Sequence, residues 1–292
     1  QLRPAEEPPL PAGAAAAVVP GGAAAFLGLA PRWTPEGGGL LWWADALAAE
    51  LRCVTGGRIE PVAPWNAALR GLAPAAGARP EVLAFDALGA ATRIGQDGTQ
   101  RARRVLPAAP LVVRTHPGGA LWAAMEKDGA SMIGPLRPDG TLSPAWRLPG
   151  HVRALAWAAG GRALYAATPD TGCIHRLEDG RAAPLLLARM PSGAGRPAGL
   201  AVDADGGLWV ALHDGWSVAR LGHDGEVERV LPLPVPRPTD LGFGGPGLAT
   251  LYIATARDGL GFDTLAAAPL SGRLLTAMPG VQGLPEAPSD WL

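Results

Sequence analysis

A strand–turn–strand unit recurring six times, at intervals of about 40 residues, predicts an all-β fold: a six-bladed β-propeller of four-stranded antiparallel blades. Two further observations point the same way. The chain has 41 Gly and 31 Pro, yet 48% of its 292 residues are apolar, which reads as many turns around a packed core and not as disorder. After the sixth unit one strand is left over, and an apolar stretch near the N-terminus can complete its blade.

The clearest unit is 196–215, RPAGLAVDADGGLWVALHDG: an apolar strand, an Asp-Gly turn, a second apolar strand and another acidic Gly turn. It recurs at 110–129 (PLVVRTHPGGALWAAMEKDG), 151–172 (HVRALAWAAGGRALYAATPDTG) and 238–259 (PTDLGFGGPGLATLYIATARDG), and more loosely at 27–46 and 65–87. Third strands read from 174–180 and 218–225, and fourth strands from 183–190 and 226–233. The first position of each inner strand then falls at Leu29, Asn66, Leu111, Arg153, Ala198 and Thr239, with intervals of 37, 45, 42, 45 and 41 residues. The leftover strand is GRLLTAM (272–278), and AAAVVP (15–20) is expected to close the ring against it. The domain reading is an N-terminal tail at 1–13, one propeller at 14–287 and a C-terminal tail at 288–292.

Charge excludes several partners. Twenty-five basic residues, 24 of them arginine, balance 26 acidic ones, so there is no net field to hold nucleic acid or an anionic membrane. No apolar run reaches the ~20 residues of a membrane span. The two cysteines, Cys53 and Cys173, fall in blades one and four and are expected to stay unbonded, unlike the framework of a small secreted module. The expectation is a cytoplasmic protein, or an exported one whose leader has been removed, acting as a monomer or weak homodimer.

The hairpins also resemble a known family. LAPRW and LLWWAD (29–45), GLAVDADGGLWVA (199–211), PLPVPRPTDLGFGGPGLATLYIATARDGL (232–260) and GVQGLPE (280–286) are similar to the gluconolactonase, senescence-marker-protein and luciferin-regenerating-enzyme family. The resemblance implies the same six-bladed fold and, in typical members, a divalent ion at the centre of the ring that serves lactone hydrolysis. It implies metal ligands at a first-blade glutamate, a fourth-blade asparagine and a fifth-blade aspartate, with a third-blade asparagine and arginine touching the ligand. Those positions here are Leu29, Arg153, Ala198, Leu111 and Ala109. Leucine and alanine offer no oxygen to a hard cation, and an arginine brings a second positive charge. No metal or other cofactor is therefore expected.

What remains on the axis is three apolar walls and three polar groups, the make-up of a small-molecule pocket. Arg153 is the sharpest feature, since a guanidinium below the surface seeks a bidentate carboxylate or phosphate. It either binds an anionic or lactone-like ligand, with Asn66, Thr239 and Asp240 beside it, or pairs with an internal acid, Asp240 or a rim carboxylate, and plugs the channel. Trp65 and Trp216 are candidate aromatic walls, and His151 and His213 are candidate acid–base groups near the mouth. The acids that follow each second strand (Asp45, Asp86, Glu126, Asp170, Asp214 and Asp258) read as hairpin-turn residues. The competing functions are a metal-free pocket protein, a lactone hydrolase with a relocated or absent metal, and a non-catalytic interaction propeller.

Overall fold

The computed structural model describes residues 16–292. These residues form six four-stranded antiparallel sheets, and five of them are built from consecutive segments: 28–64, 69–105, 112–149, 154–189 and 196–232. The sixth joins the strands Pro238–Gly244, Thr250–Thr255 and Leu275–Ala277 to the N-terminal strand Ala17–Val18. Ala17 faces Thr276 and Val18 faces Leu275, so the expected closing strand supplies the outer edge of blade six. The expected tail at 1–13 lies outside the described residues.

The inner strands are Gly28–Thr34, Leu69–Pro74, Val112–Thr115, Ala154–Trp157, Arg196–Val202 and Pro238–Gly244. Each contacts the inner strand of the next blade, and the last contacts the first, so the ring is closed. Alternating side chains from neighbouring blades fill the space between sheets. Trp209, Leu241, Leu251 and Ile253 pack between blades five and six, and Trp42, Leu51, Leu72 and Val82 between blades one and two. Approach at the axis is close. A Cβ on Gly199 would lie 2.4 Å from the Asp240 backbone, and one on Gly242 would lie 2.0 Å from the Pro31 carbonyl oxygen, so only glycine fits.

The last residues, 288–292, are not a tail. Ser289 bridges to Ala75, Trp291 packs on Phe85 and donates its Nε1 hydrogen to Arg137 O, and Arg93 donates to Leu292 O. The segment leading to them bridges blade five at Asp203–Gly283 and ends on blade two, so it straps across one end of the axis. Cys53 and Cys173 are both buried and free. Among the described residues no helix is long and apolar enough to cross a membrane.

Candidate functional site

The axial side chains are aimed by irregularities at the start of the inner strands. The pairing register slips between Leu29 and Arg32, Leu69 and Gly71, Pro197 and Gly199, and Pro238 and Asp240. A bulge of this kind bends the strand and turns its extra residue out of the ladder. The extra residues in blades two, five and six are Arg70, Ala198 and Thr239. The second-blade position is therefore Arg70 and not Asn66, which lies in the bend before the strand begins. The corrected intervals from Leu29 to Arg70 and from Arg70 to Leu111 are both 41 residues, replacing 37 and 45.

These residues surround a cavity of about 440 Å³ lined by Leu29, Arg70, Leu111, Arg153, Ala198 and Thr239, with Asp240, His213, Arg196 and Arg32 also on its walls. Asn66, Trp65, Trp216 and His151 are not on them. Trp65 points its indole nitrogen at Asp86, 3.2 Å away, and Trp216 sits on the surface, 43% exposed. His151 stays on the rim with Nδ1 3.6 Å from Asp170.

Neither axial arginine is neutralised. The side chains of Arg70 and Arg153 make no hydrogen bond or ion pair among the described residues, and Arg70 Nε is buried without a partner. Desolvation lowers the Arg153 pKa, the Arg70 charge lowers it further, and Asp170 opposes both. Arg153 does not pair with Asp240. That carboxylate accepts from the Leu241 and Ala30 amides at 2.8 and 3.0 Å and from Arg32 at 3.2 Å. Thr239 donates its hydroxyl to Gly28 O at 2.6 Å, which staples blade six to blade one.

The axis is closed below this cavity by a quartet of two buried arginines and two half-buried carboxylates. Arg32, 2% exposed, lies 3.2 Å from Asp240 and 3.6 Å from Glu286, and Arg114 lies 3.4 Å from the same Glu286 oxygen. Arg114 also donates to Leu155 O at 2.7 Å and Leu200 O at 3.1 Å, tying three blades together. Burial, then the neighbouring Arg32 charge, push the Arg114 pKa down, while Glu286 and Asp240 hold it up. Beyond the quartet a second, mainly apolar cavity of about 480 Å³ opens between Trp33, Trp157, Phe243 and the C-terminal strap.

Asp45, Asp86 and Glu126 accept N–H groups of their own turns, from Ala48, Leu88 and Gly129. Asp45 and Asp170 also accept amides from the segments that enter their blades, Phe26 and His151. Asp214 instead holds side chains: Arg237 Nε at 2.6 Å, Arg196 at 2.7 Å and His213 Nδ1 at 3.1 Å. Burial pushes its pKa up, but Arg237, His213 and Arg196 outweigh that and bring it down to about 2. Burial lowers the His213 pKa. Asp214 pulls it up, and the Arg196 and Arg237 charges push it down. Among the described residues no three His, Cys, Asp or Glu side chains converge as metal ligands would.

Residues 113–257 match the family described as the SMP-30/Gluconolactonase/LRE-like region. That stretch is a domain of this family. The chain is 33% identical over 176 residues to a 6-deoxy-6-sulfogluconolactonase of Pseudomonas putida, a match covering 58% of this chain and 59% of that one. It is 38% identical over 92 residues to a regucalcin of Oryctolagus cuniculus, covering 30% of each. These matches thus span less than two thirds of either relative. A calcium-binding regucalcin from Agrobacterium tumefaciens superposes with a TM-score of 0.77 at 21% identity, over 94% of this chain and all of that one, which shows the fold.

Proposed function

We propose that this propeller is a metal-independent pocket for a small anionic ligand of the sugar-acid or sugar-lactone class, with Arg70 and Arg153 as the anion-holding pair. The observation that carries the reading is two arginines on one cavity wall with no carboxylate on either. A guanidinium left unpaired in a half-buried site loses hydration without compensation, and a bidentate acceptor restores it. The sulfonate in the P. putida relative's named substrate is an anion of this kind. The quartet supports the reading too, because Arg32 already satisfies Asp240 and leaves the pair above it free for a ligand.

The family's divalent ion does not fit the side chains at this centre. A hard cation needs several oxygens at ~2–2.6 Å. The axial set of Leu29, Arg70, Leu111, Arg153, Ala198 and Thr239 offers one side-chain oxygen, already engaged with Gly28 O. Two arginine charges at the same place oppose a further cation. With a balanced net charge of -1, the protein is proposed to act without nucleic acid or membrane, on a small molecule alone.

Thermal-shift titration with 6-deoxy-6-sulfogluconate and gluconate tests this. Both acids raise the melting midpoint, the sulfonate more, and Arg153→Ala and Arg70→Ala each abolish the rise. Unchanged shifts in both variants, or stoichiometric calcium, zinc or manganese in the purified protein, would overturn the reading.

A further inference from the structure

Of the two histidines near the mouth, one has the surroundings of a base. His213 ends the second strand of blade five (Leu208–His213) and lines the same cavity as Arg70 and Arg153. Its Nδ1 lies 3.1 Å from Asp214 Oδ2 and 3.1 Å from an Arg196 nitrogen. Nδ1 thus faces one donor and one acceptor. Asp214 is ionised well above pH 2, so an unprotonated Nδ1 would set a lone pair against a carboxylate oxygen. Arg196 is satisfied by the same carboxylate at 2.7 Å, so we assign the proton to Nδ1, donated to Asp214. Nε2 is left with its lone pair and no partner among the described residues. Burial disfavours the imidazolium, Asp214 favours it, and the Arg196 and Arg237 charges oppose it again; the net effect lowers the His213 pKa and favours the unprotonated ring.

The turn that holds this arrangement is unusual. Asp214 has φ +63° and Trp216 has φ +54°, two non-glycine residues in the left-handed region on either side of Gly215. Such conformations are held only where surrounding contacts fix them. Here Arg237, from the segment entering blade six, and Arg196, from the inner strand of blade five, clamp Asp214 from two sides. His151 also faces a carboxylate, Asp170, at the longer distance of 3.6 Å, but it is 46% exposed on the rim and sits outside the cavity.

We propose that His213 is the general base of a metal-free ester hydrolysis in this cavity, with Asp214 as its positioning residue and a lactone of an anionic sugar as the substrate class. The proposal rests on the arginine-pair pocket described above. In the step, Nε2 takes a proton from water as the water oxygen bonds to the lactone carbonyl carbon, and the carbonyl π electrons move to oxygen. The oxyanion develops in the longer-range positive field of the arginine pair, whose hydrogen bonds are taken by the substrate's own anionic group. Collapse re-forms the carbonyl and breaks the ring C–O bond, and the departing alkoxide takes the proton back from Nε2. The sum is lactone plus water giving the hydroxy acid, with no oxidant or reductant.

The test follows acid release from 6-deoxy-6-sulfogluconolactone by full-length protein treated with a chelator, corrected for spontaneous hydrolysis. His213→Ala should lower kcat by about a hundredfold or more, with the thermal shift given by 6-deoxy-6-sulfogluconate unchanged. Added imidazole should restore part of the His213→Ala rate, a rescue that a merely structural role would not show. Asp214→Asn should lower kcat with little change in KM and displace the acid limb of the kcat–pH profile. Failure takes distinguishable forms. A wild type that binds the sulfonate without hydrolysing the lactone overturns the base and leaves the pocket standing. A His213→Ala variant keeping more than a third of the rate overturns the base in an active enzyme. Absence of both binding and hydrolysis overturns the pocket and the base together.

Discussion

Replacing Arg32 by methionine removes the centre of the axial quartet while keeping most of the side chain's volume. Removing one partner of a buried ion pair costs roughly 3–5 kcal/mol, because the other charge is left uncompensated. Three features place this case at the low end. Asp240 keeps the Ala30 and Leu241 amides, Glu286 keeps Arg114, and both carboxylates retain 15–20% of their side-chain exposure. Loss of Arg32 also relieves the like charge pressing on Arg114. The expected destabilisation is about 3 kcal/mol, which at ~2 °C per kcal/mol for a chain of this length lowers Tm by about 6 °C. Urea unfolding followed by tryptophan fluorescence measures it. The double variant Arg32→Met/Asp240→Asn, which discharges the stranded carboxylate, should recover about half the loss. A single-variant loss below about 1 kcal/mol, or a double variant no better than the single, would refute the reasoning.

Two further outcomes follow from the same electrostatics. Asp203 is fully buried and takes Arg220 Nε at 2.7 Å, Trp209 Nε1 and Gly207 N at 2.8 Å, and Asp205 N at 3.0 Å. Asp203→Ala should therefore cost about 3–4 kcal/mol, read as a lowered urea midpoint. At Asp214 the folded-state pKa of about 2 lies below the ordinary 3.8, so its contribution is complete above pH ~4 and is lost as pH falls toward 2. With the side chain 39% exposed, solvent screening reduces that contribution to about 1 kcal/mol. Urea midpoints of wild type and Asp214→Asn, compared from pH 6 down to 2.5, should converge at the acid end.

The fold was legible because its signal repeats: each hairpin carries the same alternation and Gly turns, so an error in one copy is outvoted by the others. The axis was legible where the inner strand opens with a shared motif. Arg70-Gly71-Leu72 matches Ala198-Gly199-Leu200, and that match, more than the Trp65-Asn66 pair, marks the second-blade position. The misassignment arose because a bulge adds a residue, so strand alternation counted from the preceding bend loses its phase. The quartet was not legible at all. Arg32, Arg114, Asp240 and Glu286 come from blades one, three and six and from the C-terminal strap, and no local pattern tells an inward arginine on one strand which acid it will meet. His213 was legible as a mouth residue, but its difference from His151 lies in Arg196 and Arg237, which only the folded ring brings to Asp214.

The clasp of blade six sets the order in which the molecule can be made. Among the described residues two pairs, Ala17–Thr276 and Val18–Leu275, join the outer strand to its sheet, helped by Val19 donating to Leu274 O and Ala25 to Gly272 O. On the ribosome the first blade emerges more than 200 residues before its neighbour on the closing side. A Cβ on Gly28 would lie 2.8 Å from Thr255 O, and this closely fitted flank of blade one stays bare until blade six has been made. The nascent propeller is therefore an open arc with two sticky ends until then, and chaperone dependence should be greatest in that interval.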